Sequence, residues 1–316
     1  MASSVAPLPA VAGINIGGTT TTVVSGGADG VVRRTSALPT DTTQSVEAFY
    51  SGILAQLRAA APDAAAVGVA VGGPLDANRG VVVAAPHLPH LVGFPLRDRL
   101  MADTGLPVRV HHDAAACALA EYRWGPDAGA AGIAYLTCGT GFGAGIVLDG
   151  RARYGRDGFS PELGHVRFRS GGPDIFGKPG CYEGFGSANA LALLARGHDP
   201  ARFAGASPRD VVVAAAGGNA AAHAALRDNV DAVGAACALL ADLLVLDVIA
   251  LGTLSAYLGA AWIDAVREVF EQEALPHNVR ACAVRAALPD VQDRSALAAA
   301  CDALDGGERG AAAERV

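Results

Sequence analysis

Residues 108–150, VRVHHDAAACALAEYRWGPDAGAAGIAYLTCGTGFGAGIVLDG, constrain the fold more than any other part of the chain. A β-rich run at 108–111 ends in the polar pair His112-Asp113, and an alanine-rich helix follows. A second apolar run, 133–136, empties into Gly139-Thr140-Gly141-Phe142-Gly143. One carboxylate therefore stands at a strand end, and one glycine-rich turn at the end of the next strand. Open α/β sheets bind ligands at their strand ends. A glycine-rich turn there lets backbone N–H groups approach phosphate oxygens. A carboxylate with such a cradle points to phosphoryl transfer, Asp113 accepting the proton of a substrate hydroxyl.

The rest of the chain fits an α/β alternation. Strands are expected at 11–16, 19–25, 31–36, 67–71 and 80–85, and helical spacing of Val46, Phe49, Ile53, Leu54 and Leu57 marks a helix over 43–61. A short helix at 96–101 precedes the strand at 108. After the glycine turn a hairpin is expected around Asp149-Gly150. Residues 155–187 are polar and aperiodic, which inside a compact protein marks a functional loop. Beyond 188 the pattern is mostly helical, with strands expected at 244–251 and 279–286 and helices at 254–270 and 295–304. Two α/β halves with glycine-rich strand ends form a cleft in this reading.

At 316 residues and 51% apolar the chain can bury a large core. A net charge of −7 with no basic run argues against nucleic acid or an anionic membrane as partner. Lys178 is the sole lysine; the alanine and arginine richness reads as genomic composition bias, with no function attached. The six cysteines are scattered, no two at metal-ligand spacing, as expected for reduced buried thiols in a cytoplasmic protein. Residues 1–10 have no basic segment or long apolar run and read as a flexible leader. The apolar stretch 230–251 is broken by Asp231, Asp242 and Asp247, so no membrane span is expected.

Each motif also has a plainer reading. Asn15-Ile16-Gly17-Gly18-Thr19 is a phosphate-holding turn or an ordinary hairpin. Gly139-Thr140-Gly141 implies close approach of a ligand, or a glycine-bulged hairpin. Asp113 is a base or a helix N-cap, and the two are compatible. Glu162 and His165, three apart, share one side of a helical turn and can hydrogen-bond polyol hydroxyls, or stand on the surface. His165 and Cys181 are two candidate zinc ligands where a closed site needs four, so no protein zinc site is expected.

Together these stretches resemble the ROK family of sugar kinases, in the actin-like ATPase superfamily. The resemblance spans about residues 11–304. It includes Asn15 to Thr19, Val71-Gly72-Gly73-Pro74, Ala85-Pro86-His87-Leu88, His112-Asp113-Ala114-Ala115-Ala116 and Gly139-Thr140-Gly141-Phe142-Gly143. Glu162-Leu163-Gly164-His165, Gly180-Cys181-Tyr182-Glu183 and Ile249-Ala250-Leu251-Gly252 complete it. It implies a two-domain actin-like (ribonuclease H-like) α/β fold with an interdomain active-site cleft. Residues 11–124 would form a small N-terminal domain, completed by the helix at 293–304, and 125–292 a larger one. Residues 305–316 would form a flexible tail. It implies ATP and Mg²⁺ as cofactors and a small sugar or cyclitol as substrate. Asp113 matches the catalytic base, and Gly73, His87, His112, Glu162, His165 and Glu183 match the sugar side. Asn15, Gly17, Gly18, Thr19, Gly139, Thr140 and Gly141 match the phosphate side, and Gly252 and Thr253 the adenosine loop.

Departures from the family pattern narrow the expectation. Asn15 stands where the family has an acidic residue near the metal-phosphate, keeping the shape without the charge. His112 and His87 stand where asparagines line the sugar side, and histidine is larger and titrates near neutral pH. A modified hexose, amino sugar or cyclitol is therefore expected rather than glucose. The family's Cys-x-Cys-Gly-x-x-Gly-Cys zinc motif is reduced to Gly180-Cys181, leaving the 166–180 loop to packing alone. The absence of a helix-turn-helix segment does not fit the family's repressor branch. Glucokinase proper and a non-catalytic sugar- or nucleotide-binding relative are the alternatives. A homodimer is a further expectation.

Overall fold

The computed structural model describes residues 8–85 and 87–313, and the side chains to residue 306. It divides into two units. The first comprises Met1–Gly129, Gly150–Ser160 and Asp290–Val316; the second comprises Ala130–Asp149 and Pro161–Pro289.

The first unit is built on strands β1 (Ala10–Ile16), β2 (Thr20–Gly27), β3 (Val32–Pro39), β4 (Val67–Val71) and β5 (Val108–His112), in the order β3-β2-β1-β4-β5. β1 and β2 are antiparallel, with Ile16 opposite Thr21, and β4 runs parallel to both β1 and β5. All five residues of β4, VGVAV, are buried, as befits a parallel strand covered on both faces. One face packs against Phe49, Tyr50, Ile53 and Leu57 of the helix Val46–Ala60, whose N-cap Ser45 accepts the Ala48 N–H. The other face packs against the helix Val291–Ala313 through Ala296, Leu297 and Ala300.

That contact depends on small residues. A Cβ at Gly68 would lie 2.1 Å from Ala296 O, and one at Gly13 2.7 Å from Ala296 Cβ. The alanine run of the helix, which composition alone left without a role, is what lets its backbone approach the sheet. The helix also continues to Ala313, through part of the stretch expected as a polar tail.

The second unit repeats the plan. Strands β6 (Gly132–Cys138), β7 (Phe142–Leu148), β8 (Val248–Leu251) and β9 (Ala283–Ala286) run in the order β7-β6-β8-β9. β6 and β7 are antiparallel, and β8 runs parallel to β6 and β9. Each sheet thus opens with a hairpin whose turn carries the glycine motif. The core joins this sheet to the helices Ala188–His198, Ala220–Leu244 and Ala260–Glu273.

Other boundaries also depart from expectation. The apolar run at 244–251 is not all strand: the long helix ends at Leu244, Val245 caps it at φ 52°, and β8 starts at Val248. A β-branched residue in the left-handed region is uncommon, so its strand-like appearance misled. The run at 279–286 is split by the helix Pro276–Ala281, begun by proline at its first position. The helix expected over 254–270 is interrupted at Gly259, φ 75°. Among the described residues no helix is long and apolar enough to cross a membrane.

Candidate active site

In the first unit the chemistry gathers at the C-terminal ends of β1, β4 and β5. β5 delivers His112 and Asp113. His112 is the N-cap of the helix Asp113–Trp124 and makes no side-chain cap bond, so Asp113 is the first helical residue rather than the cap. Its carboxylate, 43% exposed, sits in the first turn, where the helix dipole favours negative charge. Asp113 Oδ1 accepts the Ala114 N–H at 2.6 Å. His112 Nδ1 lies 3.1 Å from the same oxygen, but the geometry is not that of a hydrogen bond and Nδ1 is buried without a partner. The His112 ring faces Gly73, where a Cβ would lie 2.8 Å from Cδ2.

Gly17, Gly18 and Thr19 turn β1 into β2. Gly17 N–H donates to Thr20 O at 3.1 Å, and Thr40 N–H to Thr19 O at 3.0 Å. Gly18 and Thr19 are exposed. A Cβ at Gly18 would lie 3.0 Å from that of His87, which is also exposed. Asn15 Nδ2 donates to Gln292 O at 3.3 Å, tying β1 to the first turn of the helix Val291–Ala313. An aspartate could not make that bond, so Asn15 has a structural task that the spacing alone did not reveal.

In the second unit a separate set converges on the β6–β7 turn. Gly139 N–H donates to Gly141 O at 3.1 Å, and Thr140 faces solvent. A Cβ at Gly141 would lie 3.0 Å from Glu183 Oε2, the oxygen that accepts the Phe142 N–H at 3.2 Å. Burial raises the Glu183 carboxyl above its ordinary value; the Phe142 N–H and His165 oppose this, and Glu162 adds to it. Glu162 caps the 3₁₀ turn Leu163–His165, and the His165 N–H returns to Glu162 O at 3.1 Å. Gly139 lies beside Thr253, its Cβ position 3.4 Å from Oγ1. Gly252 admits no side chain, since a Cβ would fall 2.2 Å from the buried Tyr135 hydroxyl.

The loop after His165 is held by more than packing, contrary to expectation. Arg169 pairs with Asp228 at 2.8 Å and covers the Phe185 ring at 4.2 Å. Lys178 Nζ donates to His165 O, and the Phe176 ring stacks on His165 at 4.8 Å. Sequence reasoning missed Arg169, Phe176 and Lys178, whose contacts are set by loop geometry with no periodic signature. All six cysteines are buried and none is in a disulfide. Among the described residues no three His, Cys, Asp or Glu side chains converge on a possible metal position.

The two α/β units, each with a mixed sheet that carries a glycine turn between antiparallel strands, have the actin-like ATPase fold of solved sugar kinases. The ROK family model matches residues 11–303, and the chain belongs to that family. It is 33% identical over 190 residues to a glucokinase of Streptomyces coelicolor, a match that covers 58% of this chain. The chain spans only 58% of that relative's length. It is 31% identical over 207 residues to an N-acetylmannosamine kinase of Escherichia coli, covering 65% of this chain and 69% of that one. The solved ROK glucokinase of Streptomyces griseus, in complex with glucose and AMPPNP, superposes with a TM-score of 0.76 at 28% identity. That superposition covers 94% of this chain and 99% of the other.

Proposed function

We propose that the chain is an ATP-dependent kinase that phosphorylates a hydroxyl of a sugar or sugar-like polyol, with Asp113 as general base. Asp113 carries the reading: a solvent-accessible carboxylate at a parallel strand end, with one oxygen committed to a backbone N–H. The Ala114 bond holds the rotamer and leaves Oδ2 to accept the proton of the attacking hydroxyl. Glu162, His165 and Glu183 bind hydroxyls, and Gly73, His87 and His112 line the acceptor side. The named activities of the relatives support the same class.

ATP fits the residues present. The Gly17-Gly18-Thr19 and Gly139-Thr140-Gly141 turns face solvent or half-face it and lack Cβ atoms at their glycines, so their N–H groups would hold phosphates. Gly252 and Thr253 would hold the adenosine. Mg²⁺ keeps several waters and is bound largely through substrate phosphates, so it needs no closed cage of side chains. Asn15 Oδ1 would take a metal-bound water while Nδ2 stays on Gln292. When bound, the nucleotide supplies the phosphoryl group and the metal neutralises its developing charge.

Histidine at 87 and 112 favours a modified hexose, an amino sugar or a cyclitol over plain glucose. The test is ADP release with Mg²⁺-ATP against hexoses, hexosamines and cyclitols. Turnover on one panel member should fall by about a hundredfold to ten-thousandfold in Asp113→Asn, the range for loss of a positioned base. Unchanged turnover in that variant rejects the base assignment, and preference for glucose makes the chain a glucokinase proper. The uncharged Asn15 amide, committed to Gln292, favours a second reading, a binding protein without transfer. Sugar-dependent thermal shifts with no ADP release would select it.

A further inference from the structure

We infer that Tyr154 is a positioning residue for the proposed base, the middle member of a hydrogen-bonded relay from Asp302 through His111 to the His112 backbone. The inference rests on the reading of Asp113 as general base.

β5 lies at the edge of its sheet, so its outward backbone groups have no further strand to pair with. At the end that carries Asp113, a side chain fills that role. The His112 N–H donates to the Tyr154 hydroxyl at 3.2 Å. The same hydroxyl lies 2.8 Å from His111 Nδ1, and the two rings stack at 13°. On its other side, His111 Nε2 lies 3.0 Å from Asp302 Oδ2, on the helix Val291–Ala313. Arg109 Nε approaches the same oxygen at 3.4 Å. His111 is only 4% exposed.

The proton positions follow from this geometry. Burial alone would raise the Asp302 carboxyl, but the His111 hydrogen bond, with the charges of Arg109 and Arg123, holds it below its ordinary value. Facing an ionised carboxylate, Nε2 must carry a proton, since two lone pairs would repel. In the Nε2–H tautomer Nδ1 is an acceptor, and the Tyr154 O–H donates to it. The hydroxyl lone pairs remain to receive the His112 N–H. In that tautomer His111 and Tyr154 each donate once and accept once, Asp302 accepts at one end and the His112 N–H donates at the other, one residue before Asp113. Burial raises the Tyr154 hydroxyl above its ordinary value, so the hydroxyl stays protonated and keeps its donor role. Tyr154 acts through the backbone of His112, and His111 acts through Tyr154.

The full-length protein tests this in two ways. Long-range ¹⁵N NMR at neutral pH should find His111 as the Nε2–H tautomer; an Nδ1–H tautomer overturns the relay without any variant. Tyr154→Phe keeps the stacked ring and removes the hydroxyl. It should speed exchange of the His112 amide and lower kcat by about tenfold or more, the cost of a slightly misplaced group, with KM for ATP unchanged. Unchanged His112 exchange, or kcat lost only in proportion to unfolded protein, makes Tyr154 a packing residue and overturns the inference. If the wild type turns over no sugar, the kinase reading fails by itself, and the tautomer and exchange results still decide the relay.

Discussion

The Glu183 carboxylate is half-buried against the β6–β7 turn, with the Phe142 N–H as donor and Glu162 nearby as a like charge. Its carboxyl is raised, so the folded state holds its proton more tightly than the unfolded chain. The folded state therefore loses stability as pH rises from the ordinary glutamate value through the raised one. Glu183→Gln keeps an acceptor for Phe142 and removes the charge. Its melting temperature should exceed that of the wild type at pH 7.5, and the gap should close as pH falls toward the ordinary glutamate value. Sugar affinity should fall in the same variant, a trade of binding against stability. Asn15 makes the opposite case. Asn15→Asp would restore the acidic residue of the family pattern, yet it faces a carboxylate toward the Gln292 carbonyl and loses a bond. Denaturant unfolding should show a loss of about 0.5–1 kcal/mol, the net worth of one exposed hydrogen bond, since Gln292 O keeps the Ser295 hydroxyl as a donor. Unaltered stability would remove the tether from the account.

Among the elements, the contact between the β1–β4 face and the helix Val291–Ala313 has the least room for change. A methyl at Gly68 would overlap both Ala296 O and Ala300 N at 2.1 Å, and these are backbone atoms that cannot rotate away. Gly68→Ala should cost about 3 kcal/mol or prevent folding, at the upper end of overpacking. Gly72→Ala, four residues along and with nothing within 4 Å of the new methyl, should stay within about 0.5 kcal/mol. Equal melting temperatures for the two variants would refute the packing argument. Elements of this kind divide what was legible in the chain from what was not. β4 and the helix Val46–Ala60 announce themselves by hydrophobic pattern, and the strand-end position of Asp113 and the glycine turns followed from local composition. The helix end at Val245 was obscured by a β-branched cap, and the helix Pro276–Ala281 by Val279 inside it, which read as the start of a strand. The role of the alanines at 296 and 300 was hidden because small residues carry no pattern of their own; only the opposing glycines explain them. The Asn15, Tyr154 and Arg169 bonds join residues 277, 42 and 59 positions from their partners, beyond the reach of periodicity.

For the molecule as a whole, the shifted carboxyls predict where stability peaks. Glu183 and Asp293, both partly buried, are raised, chiefly by burial; Asp231 is raised too but is exposed, where solvent leaves little net effect. Glu183 and Asp293 therefore each gain stability as pH falls from the raised value to the ordinary one. Asp302 is lowered: its contribution is complete above the ordinary aspartate value and is lost as pH falls through the lowered one. Asp41, Glu47 and Asp210 are also lowered, through local hydrogen bonds at the surface, where salt and solvent leave little net effect. The sum places the maximum on the acid side of neutrality, with a rise as pH falls toward the ordinary carboxyl values and a fall below about 4. Thermal melts across pH 3.5–8 would trace this curve at low and high salt, spanning roughly the titration range of side-chain carboxyls. The acid limb should persist in high salt, because Asp302 is mostly buried and screened little. Asp302→Asn should flatten that limb and lower stability at every higher pH. A melting temperature that falls steadily from pH 8 downward, with no maximum, would mean that the surface carboxyls outweigh the buried ones.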